Sequence, residues 1–312
     1  HKQLTIGLFG FGVVGEGLYK VLQQTPSLKA SIKKVCIRNP EKKRDAPSSL
    51  FTTDRTELLN DPEINVIVEV IDDAKAAFEI VSTALNNGKA VVSASKKMIA
   101  ENLPALLQLQ EATGLPFLYE SSACASIPVI RNLEEYYDND LLHSIKAIVN
   151  GSTNFILTKM FEDKLDFQSA LLLAQQLGFA ESNPKLDVEG YDALNKWVIL
   201  LNHAYGIITS PEEVLFSGIQ NIQLSDALVA KEKHFDIKLI AQAKKLKNGS
   251  VAAFVLPQFV KQDDPLSFVK NEYNGVVIES GFADKQFFYG KGAGSFPTAS
   301  AVLSDISALR YN

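Results

Sequence analysis

The run Thr5–Phe9 is short and mostly apolar, and it ends directly in Gly10-Phe11-Gly12-Val13-Val14-Gly15, after which Val14–Gln24 carries apolar residues at helical spacing. A strand that turns through GxGxxG into a helix admits few folds. Gly10 permits the tight turn, Gly12 lets backbone approach an anion closely, and Gly15 allows helix and strand to touch. The first turn of the helix supplies N–H groups and the positive end of its dipole. We read the loop as a pyrophosphate cradle, with Gly10, Phe11, Gly12, Val13, Val14 and Gly15 against a dinucleotide.

The rest of the first half keeps the same rhythm. Strands are expected at Ile32–Ile37, Val66–Ile71, Ala90–Val92 and Phe117–Tyr119, and helices at Ala74–Asn86 and Leu103–Thr113, with Gly88 and Gly114 where C-caps belong. Alternation of this kind predicts an α/β fold, a doubly wound Rossmann-type parallel sheet covered on both faces. The Lys-, Arg-, Pro- and Ser-rich stretch Asn39–Ser49 reads as a surface loop. After Ser121 the rhythm stops. Ile127–Tyr136 and Asp166–Leu177 look helical, while Ile145–Val149, Ala252–Pro257, Asn274–Ile278 and Gln286–Tyr289 look like strands, so this half reads as α+β. The expected division is a dinucleotide-binding domain over 1–125, a catalytic, substrate-binding and dimerisation domain over 126–289, and a segment 290–312, helical over Thr298–Ala308, that returns to the first domain.

Composition removes several functions. Thirty-one basic residues against 36 acidic ones give a net charge of -5, which leaves no electrostatic footprint for nucleic acid or an anionic membrane. No apolar run reaches the ~20 residues that span a bilayer, and no basic-then-apolar segment opens the chain, so a cytoplasmic protein is expected. Cys36 and Cys124 make no disulfide framework. His1, His143, His203 and His234 form no HExxH or i,i+4 pair, so zinc chemistry is not expected, and His203 reads as structural.

The end of the second strand selects the dinucleotide, because a carboxylate there holds a ribose 2′-hydroxyl and repels a 2′-phosphate. This chain has Arg38, with Lys42, Lys43 and Arg44 close behind. A guanidinium fork and added positive charge favour NADP, with NAD left open. The structural alternative is a solvated basic loop.

Chemistry concentrates between Gly178 and Lys196. Gly178-Phe179-Ala180-Glu181 leads through Asp187-Val188-Glu189-Gly190-Tyr191-Asp192 to Lys196, and Asp192 and Lys196 lie four apart, on one face of a helix that begins near Asp192. This stretch resembles the homoserine dehydrogenase motif. Asn150-Gly151-Ser152-Thr153-Asn154-Phe155 is similar to the family's NGTTNY block, and Gly290-Lys291-Gly292-Ala293-Gly294 with Pro297–Val302 is similar to its GPGAG…PTASAV ending. With the N-terminal glycine loop, the resemblance runs along nearly the whole chain.

The resemblance implies hydride exchange between a nicotinamide cofactor and a small molecule, interconverting L-aspartate 4-semialdehyde and L-homoserine in amino-acid biosynthesis. Reducing an aldehyde places negative charge on its oxygen, which needs a proton donor or cation within hydrogen-bond reach. Lys96, after a strand's carboxyl end, and Lys196 both suit this. We assign proton transfer to Lys96 and the substrate and oxyanion contact to Lys196; Lys96 and Gly292 also fall to the cofactor. Glu181 and Asp192 match the acids that receive the substrate's ammonium group. Their structural alternatives are a solvated loop acid and a helix N-cap. Glu120 opens a loop that in relatives holds a monovalent cation, so Glu120, Ala123 and Ala125 are the candidates for Na+ or K+, although Ala125 and Ser126 replace the family's glycines.

Other departures are Asp72-Asp73 for a Gly-Gly pair, readable as caps of the helix at Ala74, and Ser95 for asparagine. The chain stops at Asn312, where many bacterial relatives continue into a threonine-binding domain, so feedback through such a domain is not expected. A homodimer is expected by analogy with the family. Two rivals stand beside this reading: a thiol enzyme built on Cys124, and an NADP-binding sensor with the same fold and no turnover.

Overall fold

A computed structural model describes residues 3–136 and 141–310. They form two compact units, the first comprising the chain up to Ser126 together with the stretch from Gly294, the second Ile127–Ala293.

In the first unit, β1 (Leu4–Phe9), β2 (Ala30–Cys36), β3 (Phe51–Thr52), β4 (Val66–Glu69), β5 (Ala90–Ser93) and β6 (Phe117–Leu118) make one sheet of order β3-β2-β1-β4-β5-β6. All its pairings are parallel, as expected. The strand order reverses between β1 and β4, the place where doubly wound sheets open a ligand crevice. These two strands are apolar nearly throughout because helices cover both faces: every residue of β4 is buried, and every residue of β1 except Thr5. The covering helices are α1 (Val13–Gln24), α2 (Thr56–Leu59), α3 (Ala74–Asn86) and α4 (Lys96–Thr113). Leu18 and Leu22 of α1 share a core with Ile6 and Leu8 of β1 and with Ala299, Val302 and Ile306 of the C-terminal helix Ser295–Ala308.

Apolar periodicity predicts this helix from Leu103, yet α4 starts at Lys96. Its first turns end at Asn102, which leaves helical geometry at φ -122 and ψ 16 before Pro104. Pro104 lacks the N–H for its helical hydrogen bond and its ring crowds the carbonyl one turn back, which kinks the helix here, and the apolar periodicity is legible only after the kink.

In the second unit, β7 (Leu142–Ile148), β8 (Leu215–Phe216), β9 (Phe235–Lys245), β10 (Val251–Lys261), β11 (Tyr273–Ser280) and β12 (Asp284–Lys291) form a sheet of order β12-β11-β7-β9-β10-β8. Its pairings are antiparallel apart from β8 with β10. Helices α5 (Val129–Tyr136), α6 (Gly151–Glu162), α7 (Phe167–Gln176), α8 (Lys185–Val188), α9 (Tyr191–Tyr205) and α10 (Leu224–Glu232) complete it. β12 stays paired as far as Lys291, opposite Tyr273, which carries this unit past residue 289. β9 escaped the sequence reading because Asp236 and Lys238 interrupt its apolar run, although both are buried. Among the described residues, no helix is long and apolar enough to cross a membrane.

Candidate active site

The glycine loop leaves β1 with a geometry that its residues dictate. Gly10 takes φ +99, and a Cβ there would stand 2.9 Å from the Val70 carbonyl oxygen. A Cβ on Gly15 would overlap the carbonyl oxygen of Gly10, so α1 rests on the turn only because that side chain is missing. Gly12 is the exposed N-cap of α1, with no side-chain cap and nothing within 4 Å of where its Cβ would lie. An uncapped helix start under open space fits an anionic group. Val13 is exposed and Val14 packs on the core. The Phe11 ring is buried against Tyr19 and Phe51, at centroid distances of 5.7 and 5.1 Å, leaving Phe11 only its backbone for a ligand.

Beyond β2, Arg38, Lys42 and Lys43 are exposed. Arg44 lies over the Phe51 ring, 5.4 Å from its centroid, and donates to the Lys42 carbonyl at 2.7 Å. Lys42, Lys43, Arg44 and Phe51 line a cleft of about 600 Å³.

At the crevice, the structure adds a residue the sequence reading missed. Glu69, the last residue of β4, is 0% exposed. Its Oε2 accepts from Ser93 Oγ at 2.7 Å, and its Oε1 accepts from the Ile71 N–H at 2.8 Å and lies 2.7 Å from Ser95 Oγ. Burial pushes its carboxyl upward, against the pull of these hydrogen bonds. A carboxylate closing an otherwise apolar strand at the reversal of strand order was the signal for it. Asp73 has the structural role allowed for it: its Oδ1 accepts the Ala76 N–H at 3.0 Å and caps α3, while Asp72 is exposed.

Lys96 opens α4 and is half-buried; its neighbour Lys97 is exposed and pairs with Glu101 at 3.8 Å. Glu120 is buried, and its N–H donates to Asp305 at 2.9 Å. Ala123 and Ala125 are buried, and Ala125 takes φ +43, a region that favours glycine. Cys124 is 0% exposed, a setting that suits an inert thiol rather than a nucleophile. Among the described residues, no group of three or more His, Cys, Asp or Glu is placed to hold a metal ion.

In the second unit, α9 puts Asp192 and Lys196 one turn apart, both buried and 2.9 Å from each other. Lys196 Nζ also donates to the Val149 carbonyl at 2.7 Å, so two of its three N–H bonds are fixed within the unit. The N-cap of α9 is Gly190, at φ 89, so Asp192 is not a cap. Asn150, which the sequence offers only as part of the block similar to NGTTNY, ties this group together. Its Nδ2 donates to Asp187 at 2.7 Å and to Asp192 at 2.8 Å, while its Oδ1 accepts the Thr153 N–H at 2.8 Å and caps α6. Asn274 reaches the same Val149 carbonyl at 3.2 Å, and a Cβ on Gly292 would overlap the Asn274 amide. Gly292 thus has a packing reason to be glycine. Glu181 lies on the loop after α7 with its side chain exposed and its backbone carbonyl accepting from Gln175 at 2.9 Å. His203 pairs with Glu134 at 2.7 Å.

Known proteins resemble this chain along its length. Residues 10–120 match the family model "Homoserine dehydrogenase, NAD binding domain", and residues 128–307 match "Homoserine dehydrogenase". The homoserine dehydrogenase of Bacillus subtilis is 36% identical over 321 residues, covering 100% of this chain and 74% of the relative. A crystal structure of a homoserine dehydrogenase from Thiobacillus denitrificans superposes with a TM-score of 0.94 at 31% identity, over 99% of this chain and 74% of that one. A hyperthermophilic archaeal homoserine dehydrogenase mutant in complex with NADPH aligns at a TM-score of 0.81 and 27% identity, over 99% and 98% of the two chains. Matched along both units by sequence and by structure, the chain belongs to the homoserine dehydrogenase family.

Proposed function

We propose that the chain, an oxidoreductase interconverting L-homoserine and L-aspartate 4-semialdehyde, uses NADP in preference to NAD and divides the polar work between two lysines. The observation that carries the reading is the clamped Lys196 ammonium, held by Asp192 at 2.9 Å and Val149 at 2.7 Å with one N–H left over. A cation oriented in advance stabilises charge on a reacting oxygen without reorganising. The bound nicotinamide supplies or accepts the hydride. Lys196 holds the substrate's carbonyl oxygen and the alkoxide it becomes, and Lys96 delivers a proton to that oxygen in reduction and removes it in oxidation. Glu181 and Asp192 take the substrate's ammonium group.

The glycine loop with the N-terminus of α1 would hold the pyrophosphate, and Lys96 and Gly292 belong to the cofactor set. Arg38 with Lys42 and Lys43 would receive the 2′-phosphate; the exposed positive charge beside the cleft at Arg44 supports this choice. Glu120 with the carbonyls of Ala123 and Ala125 makes an all-oxygen set of the kind a hard cation takes, and would hold Na+ or K+. The first unit would then supply Lys96 and most of the cofactor set, and the second Gly292, the clamped Lys196, the acids for the substrate and the faces of a homodimer in the cytoplasm.

Kinetics with L-homoserine test the division of labour. Lys96→Ala is expected to lower kcat by about 10²–10⁴-fold with NADPH affinity nearly unchanged. Weakened NADPH binding at normal kcat would reverse the assignment. The ratio of kcat/KM for NADP+ over NAD+ is expected to exceed about tenfold and to collapse in Arg38→Asp.

A further inference from the structure

Glu69 and Ser93 are register partners on adjacent parallel strands, and Ser95 follows two residues later as the N-cap of α4. An N-cap serine ordinarily turns its hydroxyl to the helix's first N–H groups. Ser95 does not: its Oγ lies 2.7 Å from Glu69 Oε1 and 2.9 Å from the Ile71 carbonyl oxygen, and makes no cap hydrogen bond. Counting hydrogens decides what this arrangement is. A serine hydroxyl has one hydrogen, and an ionised carboxylate and a carbonyl are acceptors only. With Glu69 ionised, one of the two short O···O contacts would hold no hydrogen. With a proton on Oε1, that proton goes to Ser95 Oγ and the Ser95 hydrogen goes to Ile71, while Ser93 Oγ donates to Oε2 and itself accepts the Ser95 N–H at 3.1 Å. Every contact then carries a hydrogen. Full burial and the like charge of Asp72 act in the same direction.

We propose that Glu69 is a positioning residue for the reaction, a neutral carboxylic acid whose proton fastens Ser95, and with it Lys96 at the start of α4, to the end of β4. Through the Ile71 N–H the same group holds the Val70–Ile71 loop, which borders the glycine turn where a Gly10 Cβ would meet Val70 and Ile71. One hydrogen-bonded group thereby sets both the loop beside the phosphate cradle and the residue before Lys96. The kinetic part of this inference rests on the reading of Lys96 as the proton-transfer group.

Infrared difference spectra of the unliganded protein against Glu69→Gln test the proton directly: a protonated carboxylic acid band at neutral pH is expected, and its absence overturns the proposal. Steady-state kinetics and NADPH titration test the positioning. Glu69→Ala is expected to lose about 10²-fold in kcat with little change in KM, since small misplacements of a reacting group cost rate rather than ground-state binding. Glu69→Gln keeps a donor toward Ser95 and an acceptor toward Ser93, and loses only the acceptor for the Ile71 N–H, so it is expected to fall by no more than about tenfold. Equal damage in the two variants overturns the donor role. Should Glu69→Ala fail to fold, Ser95→Ala removes only the hydroxyl link. A lowered kcat at near-normal NADPH affinity is expected there, and unchanged kcat overturns the positioning role. If Lys96→Ala proves fully active, the assignment of Lys96 fails while the infrared band still stands or falls alone.

Discussion

Glu69 in the first unit and Asp192 in the second are both carboxyls enclosed at the end of a structural element, and they are treated in opposite ways. Around Glu69 stand two serine hydroxyls and a backbone N–H; against Asp192 stands an ammonium group at 2.9 Å and an asparagine amide at 2.8 Å. Neutral dipoles leave the charge of a buried acid to be decided by desolvation, whereas a buried cation fixes it. Lys238 on β9 supplies the mirror case. It is 2% exposed, donates to the Val269 carbonyl at 2.5 Å and to Asn154 at 3.3 Å, and burial, with Lys270 adding to it against Asp236 and Glu162, brings its pKa down to about 7. The lesson is that burial alone does not say whether a group is charged; its partners do.

The largest effect that could break this contrast is expected at the buried pair. Lys196→Met removes the ammonium group 2.9 Å from the buried Asp192 and is expected to cost about 3–5 kcal/mol in urea unfolding, while Lys196→Met with Asp192→Leu recovers most of it. A single variant as stable as the parent would mean that the pair is not desolvated. A smaller loss, about 1–3 kcal/mol, is expected for Asn150→Ala, which takes a donor from Asp187 and Asp192 together and uncaps α6. The smallest effect sharpens the contrast through pH. Lys238 has a folded pKa near 7 and an unfolded one near 10.5, so between those values the unfolded chain binds more protons and stability rises with pH. Thermal melts of Lys238→Met should lack that rise. Parallel melting profiles across the window would show the lysine charged in the fold.

Much of the first unit is legible in the sequence because its strands and helices obey single periods, and the i,i+4 spacing exposes Asp192 with Lys196. Elsewhere the deciding partner lies far along the chain. Asn150 gains its role from residues 37 and 42 positions away, and Glu69 from serines 24 and 26 positions away. β9 hides behind Asp236 and Lys238, charges that local pattern assigns to the surface and that tertiary contacts bury. The polar block Asn150–Asn154 conceals the start of α6 in the same way, since its polar groups face partners inside the unit. Phe11 teaches the converse: motif membership placed it at the ligand, and the packing of its ring on Tyr19 and Phe51 leaves it only a backbone role.

The helix Ser295–Ala308 lends Ala299, Val302 and Ile306 to the core built by β1 and α1, nearly three hundred positions earlier. On the ribosome, the nascent Rossmann sheet must therefore wait with part of its interior wet until the whole second sheet has been translated. The intervening unit, contiguous from Ile127 to Ala293, is free to close first. Maturation then runs inward, the early half finishing last.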